Sequence, residues 1–509
     1  MALTKVSPQM QSRDFDSVTS LLADTVLAYA GTGTEKAVAG KTVVTRSEGF
    51  SYTVAASGAT DQHVTTAGGV KLYVADQHVI DAGAFNPPTT GDASAELQAA
   101  INLWVARLQA GSPCELKISD YYTIDVGLLV EFTSTSVGIG RLNMAGGLIK
   151  SNLTALGVAF EIRSRTEIRN INFVLNVEGS ANDSITVLVD GGDRTALPKQ
   201  YFYNCTFDGL NIEKAPRIGL KMTNNFFECQ LNDPWIICQS TAVGTYACFL
   251  EDTASNSPSS IDIIGGSMRG GEHALYSTMS DCKVRGGTYI ETGKECIYLK
   301  DGIGSGVDGV HVENAYQGTA GPNRAGVRLV NYGYARGVYG TSNNGNMDTV
   351  VDAFGGAGQG IDVSAARYAG GVTKALYVRS GSASVRAWGL TRASITFADT
   401  TAQRVTAVIN QGRVLNATTS GTVTLNMDTQ DWYDGTIVGN TTFAAPINGV
   451  AGDVIEVTLK QDGTGGRTVT WNAVFVVKGL LDATAGLRST WRFRYTGGAW
   501  IEMSSSSGV

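Results

Sequence analysis

The sequence predicts an all-β chain built round a right-handed parallel β-helix, a solenoid with a small N-terminal unit before it and a β-sandwich module after it. Three observations carry this expectation. Short apolar snippets of one shape recur at steps of 22 to 33 residues between Phe160 and Val327. Glycine is abundant, at 62 residues, and proline scarce, at 10. With no three-residue period, that balance excludes collagen and suits many tight turns between strands. Only one segment has strong helical periodicity, so no helix alternates with the strands as a βα fold requires.

The first unit covers residues 1–80. Within it DFDSVTSLLADT reads as a short helix, and TVVTRSEGFSYTVAAS and HVTTAGGVKLYVA read as two strand pairs joined by turns. This unit is too small for an enzyme active site and suits an adaptor. Residues 81–112 form a linker and a capping helix. Leu97, Ile101, Trp104, Val105 and Leu108 fall on one face at helical spacing over 92–110. Asp92 or Ser94 supplies the N-cap, and Gly111-Ser112-Pro113 stops the helix. A lone amphipathic helix before a long β run needs something to cover, and an open end of the β structure is the candidate, because exposed strand edges are a hazard.

The repeats occupy residues 113–395. One series of apolar anchors runs Phe160, Val187, Leu220, Cys248, Leu275, Ile297, Val327. A second series lies between them: Phe173, Phe207, Leu231, Met268, Tyr289, Val312. Two or more short strands per 20–35 residues mark a solenoid, whose turns bury their apolar faces only by stacking at about 4.8 Å. A β-propeller is the alternative, but it needs four strands per ~40-residue blade. Signals weaken after 340, and ALYVRSG (375–381) reads as a last coil. From 396 to 509 longer alternating strands take over, with Trp471, Trp491 and Trp500 in the expected sandwich core.

Bulk properties narrow the function classes. The chain has 509 residues, of which 43% are hydrophobic and 17% charged, as in a globular protein. Net charge is -7, without the basic stripe of a nucleic-acid binder. Seven cysteines, Cys114, Cys205, Cys229, Cys238, Cys248, Cys282 and Cys296, include no CxxC pair. They read as small buried hydrophobes of a chain assembled in a reducing compartment. No secretory leader and no apolar run of membrane length is visible, so the chain is expected to be soluble or part of a particle.

Three regions resemble one family. RSEGFSYTVAASGATDQHVTTAGGVKLYV (46–74) resembles an N-terminal segment of bacteriophage tailspikes. VIDAGAFNPPTTGDASAELQAAINLW (79–104) is similar to the entry motif of pectate-lyase-like β-helix proteins, with Gly83-Ala84, Gly91-Asp92 and the helix matching and the usual paired Asp reduced to Asp92. DVIEVTLKQDGTGGRTVTWN (453–472) and WRFRYTGGAWIE (491–502) resemble a small β-module that ends many phage tail fibres. The coils carry no specific motif, so no catalytic residues transfer. The resemblance implies a homotrimeric tailspike, made in the bacterial cytoplasm and carried in the virion tail. Its residues 1–80 would attach to a phage tail or baseplate protein. Its β-helix would bind, and often cleave, a bacterial surface polysaccharide. Its C-terminal module would trimerise or bind glycan. No cofactor, metal, nucleic acid or membrane insertion is implied.

Sugar hydrolysis needs two carboxylates, roughly 5–5.5 Å apart in retaining and 6.5–9.5 Å in inverting enzymes. Equivalent positions on adjacent coils are about 5 Å apart. Glu251 and Asp252 share a coil, and Asp301 lies two coils on. Asp233 stands beside Trp235 with Glu228 nearby, where an aromatic ring stacks a sugar and desolvates an acid. On the second series Asp208, Glu291 and Glu313 also follow their anchors. Each of these acids equally fits a turn, since Asp and Asn at strand ends bond their own backbone. Glu272-His273 and His311 with Glu313 are further acid/base groups, of the kind a lyase needs. Tyr246, Tyr276, Tyr289, Tyr298 and Tyr316 are candidates for a sugar platform, or for packing against their neighbours. GGAGQG (355–360) follows no βαβ pattern and reads as a loop. The expected activity is an endo-acting depolymerase, a glycoside hydrolase before a lyase. A fibre that only adheres to its receptor is the alternative.

Overall fold

The computed structural model describes residues 13–29, 36–75, 78–134, 139–193, 195–196, 198–252, 259–300, 303–317, 323–354, 360–379, 385–390, 394–398, 405–408, 413–427, 430–449 and 451–508. Asp301 and most of the 355–360 loop lie outside them.

Three long sheets run side by side through the centre of the chain, of thirteen, ten and eleven strands. Every strand in them pairs in parallel with a strand of the next coil, as in 140–143 with 171–174 and 297–300 with 325–330. This is a parallel β-helix. The anchors read from the sequence are in register: Phe160, Val187, Leu220, Cys248, Leu275, Ile297 and Val327 are partners in succession along the eleven-stranded sheet. The row continues through Val351 and Leu376. Every member of it is buried, and each such side chain stabilises by about 1.5–3 kcal/mol.

The second series divides between two sheets. Phe173, Phe207 and Leu231 stack in the thirteen-stranded sheet, whereas Met268, Tyr289 and Val312 stack in the ten-stranded one. Only one or two residues separate these two sheets, as at Asp233-Pro234 or Gly265-Gly266, so two strands read as one. From the coil of Gly209 onward the first residue of the turn between them is left-handed, and Gly266 and Gly287 add a second. Gly209, Asp233, Gly265, Gly286, Gly309 and Gly337 have φ between 45° and 69°. The amide of each donates to the last carbonyl of the strand in the next coil, for example Asp233 to Ile264 at 2.8 Å. One left-handed slot per coil accounts for part of the glycine excess.

The coil extends beyond the expected limits at both ends. Val79–Asp81 already pairs with Cys114–Lys117, and Ile395–Phe397 and Val405–Val408 still pair within the coil sheets. The helix Ser94–Gln109 buries all five expected residues. Ala93 stands at its N-cap, while the Asp92 carboxylate, at 3.0 Å, accepts from the Ser94 amide. The helix lies under the first coils: Trp104 donates to the Cys114 carbonyl at 3.0 Å and meets Phe132 edge-on at 5.9 Å. It therefore lies against the first coils at the N-terminal end of the solenoid.

Before it, a five-stranded sheet joins Arg13–Phe15, Thr42–Thr45, Ser51–Val54, Lys71–Val74 and Val64–Thr65, with a Ser17-capped helix at Val18–Leu22. Its core is continuous with that of the coil. After the coil, seven strands form one hydrogen-bonded sheet with its own core of Trp491, Trp500, Phe443 and Ile455. Strand Trp432–Phe443 pairs with Val454–Gln461 through its first half and with Val469–Trp471 through its second, so the sheet folds over that core. Trp471 lies partly buried on Phe443 at 4.8 Å. All seven cysteines are buried.

Candidate functional site

Strand residues alternate between core and surface, so the residue after each inner anchor points outward. On the eleven-stranded sheet this outer slot holds Lys221, Phe249, Tyr276, Tyr298, Arg328, Asp352 and Tyr377 on successive coils. Phe249, Tyr276 and Tyr298 make a half-buried aromatic row, with ring centroids 5.4 and 5.1 Å apart. Tyr246 widens it, 4.8 Å from Phe249 and 5.4 Å from Tyr276. Cations close both ends of the row: Lys221 Nζ is 5.1 Å from the Phe249 centroid, and the Arg328 guanidinium is 4.8 Å from that of Tyr298. Three tyrosines named from the sequence, Tyr246, Tyr276 and Tyr298, are thus brought together. Tyr289 is not among them: it is an inner residue of the ten-stranded sheet and fully buried, because its strand faces the core at that position.

Glu251 lies two residues beyond Phe249, on the same face, and pairs with Lys221 at 2.8 Å. Asp252 begins the following turn. Its carboxylate accepts from the Ser259 hydroxyl at 2.9 Å, and its amide donates to Thr278 Oγ1 at 3.2 Å. Burial pushes its pKa up to about 6, against the lowering bonds from Ser259 and Ser280. The pair therefore combines a salt-bridged carboxylate with one that binds a proton near pH 6, the division of roles that acid–base catalysis uses.

A denser group of charges lies at the other end of the row. Glu272, His273, Glu295 and Asp352 are all buried. His273 lies against Tyr246, Tyr276 and Tyr298, at 6.1, 5.5 and 5.4 Å between centroids. Burial pulls its pKa below the usual histidine value, with Glu295 opposing. Its Nδ1 is 2.9 Å from the Glu295 carbonyl. Arg328 Nη1 donates to Glu295 Oε1 at 3.4 Å, and Arg379 Nε to both oxygens of Asp352 at 2.8 and 2.7 Å. Burial raises the Asp352 pKa, and Arg379 and Arg328 pull it back. Burial and then Glu295 raise that of Tyr316. Of this group the sequence pointed to Glu272, His273 and Tyr316. Asp352 occupies the outer slot after Val351, so extending the anchor series past Val327 would have found it. Glu295 precedes its strand, and no periodicity marks it.

The remaining candidates lie elsewhere. Glu228 and Asp233 are exposed, at φ 52° and 45°, at the two ends of strand Cys229–Asn232 in the thirteen-stranded sheet. Asp233 fills a slot that glycine occupies on most neighbouring coils, a turn position that Asp tolerates. Trp235 is 50% exposed, but on the ten-stranded sheet, so it does not join the tyrosines. Asp208 binds Asn172 and, at 2.6 Å, Asn232. Glu291 has φ 57° and pairs with Arg269. His311 Nε2 is 3.0 Å from Thr341 Oγ1, and Glu313 accepts from Asn343 at 2.9 Å. Among the described residues, no group of three or more His, Cys, Asp or Glu is placed to hold a metal ion. No helix among them is long and apolar enough to cross a membrane.

Comparison with known proteins adds one family match. Residues 417–499 match the family described as "Putative phage tail fibre C-terminal domain". No curated protein sequence matches the chain. Solved structures with a similar course include the gp42 tailspike of Acinetobacter phage vb_AbaP_AS12, at 12% identity over 98% of this chain and 94% of that one, with a TM-score of 0.47. Full-length tailspike protein 2 of an Escherichia coli O157:H7 bacteriophage is similar at 9% identity over 98% and 72%, with a TM-score of 0.49. The gp49 tailspike of the Acinetobacter baumannii bacteriophage Fri1, a capsular polysaccharide depolymerase, is similar at 12% identity over 98% and 92%, with a TM-score of 0.36.

Proposed function

We propose that this chain is a phage tailspike that binds a bacterial surface polysaccharide on its eleven-stranded face and cleaves it. The observation that carries this reading is the aromatic row Phe249–Tyr276–Tyr298, closed at each end by a cation and bordered by carboxylates. Flat rings about one coil apart offer sugar rings a stacking surface, and the flanking charges offer hydrogen bonds to hydroxyls. The C-terminal family match supports this reading. In it, residues 1–80 join the chain to the virion tail and the C-terminal module holds three copies together.

For cleavage, Asp252 is the general acid and Glu251 the charged partner of hydrolysis. Asp252 gives its proton to the glycosidic oxygen as the C–O bond breaks, and water supplies the hydroxyl of the new reducing end. Asp301, Asp233 and Glu228 are secondary candidates for the same roles, and Trp235 for sugar stacking on the ten-stranded sheet.

The test is incubation of the purified protein with capsular and O-antigen polysaccharides, scoring binding and new reducing ends. Binding with new reducing ends supports a depolymerase. Binding to several glycans without any new ends would reduce the function to adhesion. Ultraviolet absorbance from unsaturated sugars would reassign the chemistry to a lyase.

A further inference from the structure

Three ion pairs near the end of the aromatic row have the same polarity. Glu272 pairs with Lys294, Glu295 with Arg328 at 3.4 Å, and Asp352 with Arg379 at 2.6 Å. The carboxylate side chains are 7, 2 and 1% exposed, and their partners are 50, 25 and 34% exposed. The acid lies inside and the base outside every time. Towards the N-terminal end of the same sheet the gradient vanishes: Arg163 and Glu131 are 28 and 33% exposed, and Lys221 and Glu251 are 22 and 29%. Coulomb energy falls with distance, so a solvated ligand feels the nearer charge more strongly. A balanced cluster arranged this way presents positive ends to solvent.

Arg328 is the member placed beside the row. Its guanidinium lies over Tyr298, its Nη1 is held by Glu295, and its Nε, buried 3.8 Å from Asp352, makes no hydrogen bond among the described residues. A guanidinium fixed from below, on a side chain that is 25% exposed, keeps its outer Nη edge for a planar two-oxygen acceptor, and fixing it in advance lowers the ordering cost of binding.

Resting on the glycan-binding reading above, we propose that this face takes an acidic polysaccharide, with Arg328 reading the carboxylate of a uronic-acid unit stacked on Tyr276. Glu295 and Asp352 are positioning residues that hold the guanidinium on Tyr298.

The test is titration of the full chain with glucuronate, galacturonate, glucose, galactose and glucose 6-phosphate at low and high salt, followed by saturation-transfer NMR. Uronates are expected to bind about tenfold tighter than the neutral hexoses, an advantage that salt reduces. Arg328→Gln should abolish the advantage and leave hexose binding intact, and Glu295→Gln should weaken it. Because Arg328→Gln leaves buried carboxylates unpaired and can destabilise the coil, Arg328→Lys provides the second variant. It keeps the charge, loses the fork, and should melt near the parent while losing part of the advantage. Equal binding of uronates and hexoses by the parent overturns the inference, as does a uronate advantage that is undiminished in a folded Arg328→Lys protein or that survives in a folded Arg328→Gln protein. Preference for the phosphate ester over both uronates also overturns it. If the parent binds hexoses, Tyr276→Ala weakens that binding, and uronates gain nothing, only this inference falls. If no sugar of any class binds, the glycan face itself falls with it.

Discussion

At the scale of single residues, Asp252 concentrates the pH dependence of the proposed site. Its carboxyl, at about 6 in the fold against 3.8 for the free group, holds a proton to higher pH than in the unfolded chain. The folded state then binds more protons between about pH 4 and 6, so this group's contribution to stability falls as pH rises through that window. Chemical denaturation at pH 4.5 and pH 7 should show this component in the parent and not in Asp252→Asn. The same variant should lose roughly 10²–10⁴-fold in turnover on a cleaved polysaccharide while still binding it, since removing a general acid costs about that much. Unchanged turnover would remove Asp252 from the chemistry. Tyr276→Ala, at the centre of the aromatic row, should instead weaken binding by about tenfold, near 1.4 kcal/mol, in a titration.

At the scale of elements, the coil depends on its cap and its turns. Trp104 is fully buried between the helix Ser94–Gln109 and the first coils. Trp104→Ala should cost about 3–5 kcal/mol and speed amide exchange first in the strands Cys114–Lys117 and Leu128–Phe132, read by exchange mass spectrometry. Uniform exchange across all coils would show that the helix does not act as a local cap. Gly270 has φ 78°, and a Cβ there would lie 1.9 Å from the Cys238 carbonyl oxygen of the coil beneath. Gly270→Ala should therefore destabilise by more than the ~1 kcal/mol of a relaxed left-handed alanine, measured as a lower melting temperature.

At the scale of the whole molecule, the coil and the N-terminal sheet share one core and the C-terminal sheet has another. In the proposed tailspike the full chain is a trimer by light scattering, and deleting residues 409–509 lowers its mass to that of a monomer. A monomeric full chain would sink that reading. The buried cysteines predict a second behaviour. Burial raises the thiol pKa of Cys238 to about 11 and of Cys282 to about 12. Native protein should be inert to a thiol reagent at pH 8, whereas the unfolded chain should react at all seven.

The stacked architecture could be read from the residues alone because inner strand positions recur under one constraint, burial against the coil beneath. Phe160 through Val327 keep one register over seven coils, and the amphipathic face of the Trp104 helix required a surface to cover. Tyr276 and Tyr298 fall into one row under the same constraint, each standing one residue after its anchor, Leu275 or Ile297. What pairs with what across the coils left no such mark. Glu295 and Asp352 are 57 residues apart in the chain, yet one guanidinium, Arg328, reaches both. Their burial, the outward turn of their cations, and the separation of Trp235 onto another sheet depend on where each bend of the chain places a side chain. Short turns such as Asp233-Pro234 set those bends, and only the folded coil shows their result.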